Sequence, residues 1–245
     1  MTSSTHPDTA RRGFLRRSIA IVPAAALTMS GGHTQEAGGS RAAVAPGMLP
    51  RPAAYSPAYF QPAEWMFVQA AVARLIPADE NGPGALESGV ADFIDRQMDT
   101  AFGHAATWYM QGPFVESAPE FGYQGRLPPR EVYRTGIAAS DAYCVLQRGG
   151  RVFAQLQANE QDEVLQGIES GAIAFDSVNA RVFFGFLLQN TREGYLSDPM
   201  HGGNRDAGAW KMIGFPGARA DYADWVGRPG ESYPLPPVSI LGPQG

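Results

Sequence analysis

Where this chain breaks decides what it can fold into. Its 29 glycines and 20 prolines in 245 residues cluster between apolar runs of helical period. Sustained period-2 alternation is absent, so strands should be few. Five helices are expected. Glu64 to Ile76 is the first, with Trp65, Val68, Val72, Leu75 and Ile76 in register and Pro77 as its stop. Ala85 to Phe102 is the second, carrying Leu86, Val90, Phe93, Ile94 and Met98 on one stripe and ending at Gly103. Pro128-Pro129 opens a third, Arg130 to Leu146, because a first turn tolerates the missing N–H; Gly149-Gly150 follows as its C-cap. Asn159 to Ile168 is the fourth. Ser177 to Glu193 is the fifth, with Ser177 as N-cap, Asp176 at the positive end of the dipole, and Val182, Phe183, Phe186 and Leu187 in register.

The fold class read from this pattern is mainly α: a single helical domain of about five helices with long ordered Gly/Pro-rich loops, after a signal segment. Its divisions are a leader over 1–45, a linker over 46–62, the helical domain over 63–227 and an extended Pro-rich tail over 228–245. Trp108 to Arg126 is the longest irregular stretch, and its aromatics Trp108, Tyr109, Phe114, Phe121 and Tyr123 pin it to the core or to a partner.

The leader reads as an address. Arg11-Arg12-Gly13-Phe14-Leu15-Arg16-Arg17 precedes a short Ala-rich apolar segment and then Ser30-Gly31-Gly32. The paired arginines with Phe14 and Leu15 resemble the twin-arginine export signal, in which two fixed, always-charged guanidinium forks suit a receptor. Ala43-Val44-Ala45 has the small-x-small form of a cleavage site, although Pro46 after it is unfavourable. The twin-arginine route carries folded proteins, commonly with a cofactor already bound.

Composition excludes several classes. A formal charge of -5 argues against nucleic acid, which requires a clustered basic face. The single cysteine, Cys144, excludes an intramolecular disulfide, a Cys-x-x-Cys-His haem site and a cysteine-ligated iron–sulfur cluster. Cys144 is either a small buried side chain on the third helix or an odd thiol that pairs with another chain. The glycines offer no strand–Gly-x-Gly-x-x-Gly–helix context for a dinucleotide, and no Gly-x-Ser-x-Gly elbow supports a serine nucleophile. Asp198, His201 and Asp206 lie close in sequence, and two readings stand: a hydrolase-like or metal-like cluster, or a histidine that orders a loop by hydrogen bonding.

Those residues sit in the densest stretch of the chain, Asp198 to Val226. Gly202-Gly203-Asn204 reads as a tight turn, Trp210, Met212, Ile213 and Phe215 as an apolar anchor, and Pro216-Gly217 as a second break. Charges of both signs surround them: Arg205, Asp206, Lys211, Arg219, Asp221 and Asp224. The run Asp198-Pro199, Gly202 to Asp206, Gly208, Trp210-Lys211, Ile213 to Gly217, Asp221-Tyr222 and Trp225-Val226 resembles the hallmark of the gluconate 2-dehydrogenase subunit 3 family. Leu75 to Ala85, Gly89 to Asp95, Phe183-Phe184 and Thr191 to Tyr195 are similar to its other motifs, and a twin-arginine leader is typical of it.

The resemblance implies a small non-catalytic subunit with no cofactor of its own. It implies a large flavin-dependent dehydrogenase subunit carrying FAD and a multihaem cytochrome c subunit carrying haem c, on the outer face of the cytoplasmic membrane. The complex would oxidise gluconate or a related sugar or sugar acid. A leaderless large subunit would dock on this chain and pass with it through the twin-arginine translocase into the periplasm. On this reading Gly202, Gly203, Asn204, Arg205, Asp206, Trp210, Lys211, Phe215, Pro216, Gly217, Asp221, Tyr222 and Trp225 form a docking element. Tyr233, Leu235 and Ile240 would help the tail lie along a partner.

Overall fold

Among the described residues, six helices form where the apolar stripes allow, and they share one core. The structure, a computed structural model, describes residues 55–115 and 118–242; the leader residues Arg11, Arg12, Phe14 and Leu15 lie outside them. Helix α1 is Pro62–Leu75, α2 Val90–Met98, α3 Pro129–Gln147, α4 Ala158–Ser170, α5 Ala180–Leu196 and α6 Gly208–Ile213. The described residues contain isolated bridges and no strand. No helix among them is long and apolar enough to cross a membrane.

Local chemistry sets the boundaries. Glu64 reaches back to the Gln61 N–H at 2.8 Å, and Glu160 to the Gln157 N–H at 2.9 Å, so α1 and α4 each begin on a carboxylate that accepts an otherwise unpaired donor. Helix α5 begins later than the sequence reading placed it. Its N-cap is Asn179, whose side chain accepts from Arg181 N at 3.0 Å and Val182 N at 3.2 Å, and Ser177 lies outside the helix. Helix α2 is shorter than expected at both ends. Gly89 stands before it in the left-handed region (φ 75), and beyond Met98 the chain turns so that Gly103 N donates to Gln97 O at 3.1 Å. Behind α3, Gly150 N reaches back to Val145 O at 3.0 Å, the closing bond of a Schellman end.

Helix α5 is the hub. It packs against α1, α2, α3 and α4, and Phe183 and Leu187 on it are fully buried beside Phe67, Ile94, Tyr133 and Ile168. The α3–α5 crossing depends on Gly136, where a Cβ would collide with the Phe183 ring. Tyr133 makes a deep polar link: its hydroxyl donates to Asn190 Oδ1 at 3.0 Å, and Asn190 Nδ2 in turn donates to Glu193 at 2.9 Å. A buried hydroxyl paired in this way avoids the penalty of an orphaned donor.

Cys144 on α3 is fully buried, and burial, aided by the charge of Asp141, pushes its thiol up to about 11. It has no exposed surface from which to reach a second chain. In the irregular stretch, Trp108 and Tyr123 pack on Phe186 (centroids 6.3 and 5.2 Å) and fix its base. Tyr109, Phe114 and Phe121 stay exposed.

Candidate functional site

The Asp198–Val226 stretch begins where α5 runs out. Asp198 accepts from Met200 N at 3.0 Å and starts a short 3-10 turn, Pro199–His201. Gly202 then turns the chain, and Gly203 lies so close to the Gly194 carbonyl that a Cβ would collide with it. Asn204 is fully buried at φ 45, a region that Asn tolerates better than most residues. Its Nδ2 donates to Ser197 O and its Oδ1 accepts from Ala209 N, both at 2.9 Å. One side chain thus spans the junction between the end of α5 and the start of α6. Asp206 (φ 56) and Ala207 (φ 50) continue in the left-handed region, which places α6 at its observed angle.

Arg205 ties this stretch to α2. Its backbone N donates to Ser88 O at 3.1 Å, and its guanidinium forms an ion pair with Asp92 and lies over Gly89. Burial is the main influence on Asp92 and lifts its carboxyl above the usual range, against the opposing pull of Arg205. The two motifs that lie far apart in sequence, Gly89 to Asp95 and Gly202 to Asp206, are therefore one structural unit.

Helix α6 fixes the apolar part. Trp210 is buried, and its indole N–H donates to Leu196 O at 2.8 Å. Phe215 packs edge-on against that ring at 5.0 Å and is 45% exposed. Lys211 and Asp206 are exposed. Pro216 and Gly217 carry the chain to the tail: Ala218 N donates to Val238 O at 2.7 Å and Val238 N to Pro216 O at 3.2 Å. Tyr222 closes the next turn on Gly217 O at 2.9 Å, and Asp221 accepts from Ala223 N at 2.8 Å. Trp225 packs against Tyr233 of the tail at 5.0 Å, and the Arg228 guanidinium lies over the Trp225 ring at 5.1 Å.

The tail closes on the start of the stretch. Ser239 Oγ donates to Asp198 Oδ1 at 2.6 Å and Ile240 N to Oδ2 at 2.9 Å. Burial alone would raise the Asp198 carboxyl; the Ser239 hydroxyl and then the Met200 and Ile240 N–H groups outweigh it and hold it below the usual range. Both Asp198 oxygens are thus occupied by the protein's own donors. His201 and Asp206 are exposed, and no group of three His, Cys, Asp or Glu side chains among the described residues is placed to hold a metal. The geometry favours a carboxylate that fastens a turn and a tail over one that performs chemistry.

Asn204 and Asp198 turn their polar groups to the protein's own donors and acceptors, while several large apolar side chains of the stretch and its surroundings are exposed, as are the polar His201, Asp206 and Lys211. Leu196 (47%) and Phe215 (45%) are exposed next to Trp210, through the Leu196 carbonyl and the Phe215 ring, and Met200 (37%) and Ile240 (70%) are exposed next to Asp198, which their amides share. Exposed apolar residues grouped in this way mark interaction surfaces more often than isolated ones do. Sequence reasoning found the stretch and its Trp210 anchor. It missed the inward roles of Asn204 and Asp198, and it missed Leu196 and Met200, which carry no signal apart from their position.

A family model described as gluconate 2-dehydrogenase subunit 3 matches residues 62–217, more than half of the chain. No curated protein and no solved structure matches it.

Proposed function

The chain belongs to the gluconate 2-dehydrogenase subunit 3 family, and from that premise we propose that it is a non-catalytic small subunit of a flavin- and cytochrome c-linked sugar or sugar-acid dehydrogenase. In this proposal FAD resides in the large subunit and haem c in the cytochrome subunit. The chain assists assembly and stability of the flavoprotein and carries it through the twin-arginine translocase to the periplasmic face of the cytoplasmic membrane. The observation that carries the reading is the arrangement around Trp210. Asp198, Asn204 and Arg205 are occupied by bonds within the chain, and the outward surface carries the exposed apolar side chains of Leu196, Met200, Phe215 and Ile240. Such a surface suits a protein partner better than a small hydrophilic substrate.

The test is co-expression with the flavoprotein and cytochrome chains. The isolated chain should be inactive and should restore dehydrogenase activity only with the flavoprotein. With Arg11→Lys and Arg12→Lys together, the flavoprotein should remain in the cytoplasm. Turnover by the isolated chain that disappears in His201→Ala would sink the proposal.

A further inference from the structure

Tyr55 to Gln61 forms no helix or strand, yet Tyr59 and Phe60 are buried. Asp95, a fully buried carboxylate on α2, holds the segment. Three successive backbone N–H groups donate to it, from Ala58 at 2.7 Å, Tyr59 at 3.1 Å and Phe60 at 2.9 Å, and the Tyr55 hydroxyl adds a fourth bond at 2.7 Å. Consecutive N–H groups curved around an anion form a nest, which is a favourable way to bury a carboxylate. Both tyrosine rings also face guanidinium groups: Arg96 stands 5.4 Å from the Tyr55 centroid, and Arg130 and Arg134 stand 4.5 and 4.6 Å from that of Tyr59. The Tyr59 hydroxyl donates to Arg130 O at 2.7 Å.

Every one of these partners comes from α2 or α3. Tyr55 also packs on Trp65 of α1 (centroids 5.7 Å), but the buried anchors of the segment, Asp95 and the Tyr133 ring beside Phe60, are assembled only when α2 and α3 are in place. It also lies outside the region shared with the family, which begins at residue 62. We propose that Tyr55–Gln61 is a fold-sensing latch with Asp95 as its catch. The latch closes only on the folded body, and it fixes the point on that body from which the preceding chain departs. Asp95 is a positioning residue: it acts by holding the backbone of Ala58 to Phe60. The consequence for export rests on the reading of residues 1–45 as a signal. With that reading, export of the chain depends on closure of the latch.

Amide hydrogen exchange on the full chain tests the latch. In the wild type, the Ala58, Tyr59 and Phe60 amides are protected. In Asp95→Asn they exchange faster by about tenfold or more, the factor that follows from losing one charge-assisted hydrogen bond, while α4 and α5 keep their protection. Free exchange of these amides in the wild type, or unchanged protection in the variant, overturns the proposal. Equal loosening of α4 and α5 overturns it too, because Asp95 would then be an ordinary core residue. Should Asp95→Asn not fold, Tyr55→Phe removes a single donor and decides the same question by the same comparison. In cells, Asp95→Asn should lower export several-fold, and full export with an opened segment overturns the coupling. The Arg11→Lys, Arg12→Lys chain separates the two ideas: if it is exported normally, the signal reading fails and the exchange result still decides the latch.

Discussion

Asn204 shows how much one side chain can determine. It is fully buried, lies in the left-handed region, and bonds both Ser197 O and Ala209 N. Asn204→Ala leaves both backbone groups without a partner and keeps the strained φ. We expect a loss of about 2–4 kcal/mol in chemical denaturation. The sequence marked this position as a turn, because Gly-Gly-Asn is a turn signal. It did not reveal that the carboxamide points inward, because that depends on Ala209 returning from α6. Cys144 was open between two readings for a similar reason: its helix was legible, and the side of the helix it occupies is a tertiary fact. Its buried thiol, held at about 11, should resist iodoacetamide at pH 8 in the native state. Mass spectrometry should find it alkylated only after denaturation.

Helices were legible as elements, and their ends were not. All five expected helices occur, because each carries a long apolar stripe that only a helix can bury on one side. The boundaries moved where a specific bond outranked a propensity. Asn179 caps α5 ahead of Ser177 because its carboxamide reaches two N–H groups at once. Helix α6 went unread because six residues are too few to show a period. At the crossing of α3 and α5, Gly136→Ala forces a methyl into the Phe183 ring. A cost of about 1–3 kcal/mol is expected, read as a lower melting temperature. At the start of α4, the Arg151 hydrogen bond and then the Gln157 N–H hold the Glu160 carboxyl down to about 2. The folded value lies below the ordinary glutamate value of 4.5, so this contribution is present above that pH and is lost as pH falls from there towards 2. Denaturation at low salt should show a shallower acid-side decline for Glu160→Gln than for the wild type; equal slopes would refute the assignment.

At the level of the molecule, the two family motifs work as one part. Arg205 is joined to Asp92, and Asn204 and Trp210 are joined to the end of α5. A pair of substitutions separates support from contact. Trp210→Ala removes a buried ring and its hydrogen bond, and should cost about 3–5 kcal/mol. Phe215→Ser, on the exposed side of the same contact, should leave the melting temperature nearly unchanged and reduce retention of the flavoprotein on an affinity column. Equal retention by Phe215→Ser and wild type would remove Phe215 from the interface. The stretch itself was legible because its residue types are unusual in combination. Which of its side chains turn inward, as Asn204 does, and which stay exposed, as Phe215 does, was not, because both kinds are neighbouring residues.

The path of the tail has an evolutionary consequence. The shared family region ends at residue 217, but Ser239 and Ile240 lie on Asp198, and Leu235, Ile240 and Leu241 are among the most exposed apolar residues of the surface. The Asp198, Asn204 and Trp210 scaffold thus lies inside the region matched to the family, and part of the outer surface beside it is contributed by residues outside that region. Sequence change in the tail can therefore redraw that outer surface without disturbing the bonds of Asn204 and Trp210 beneath it.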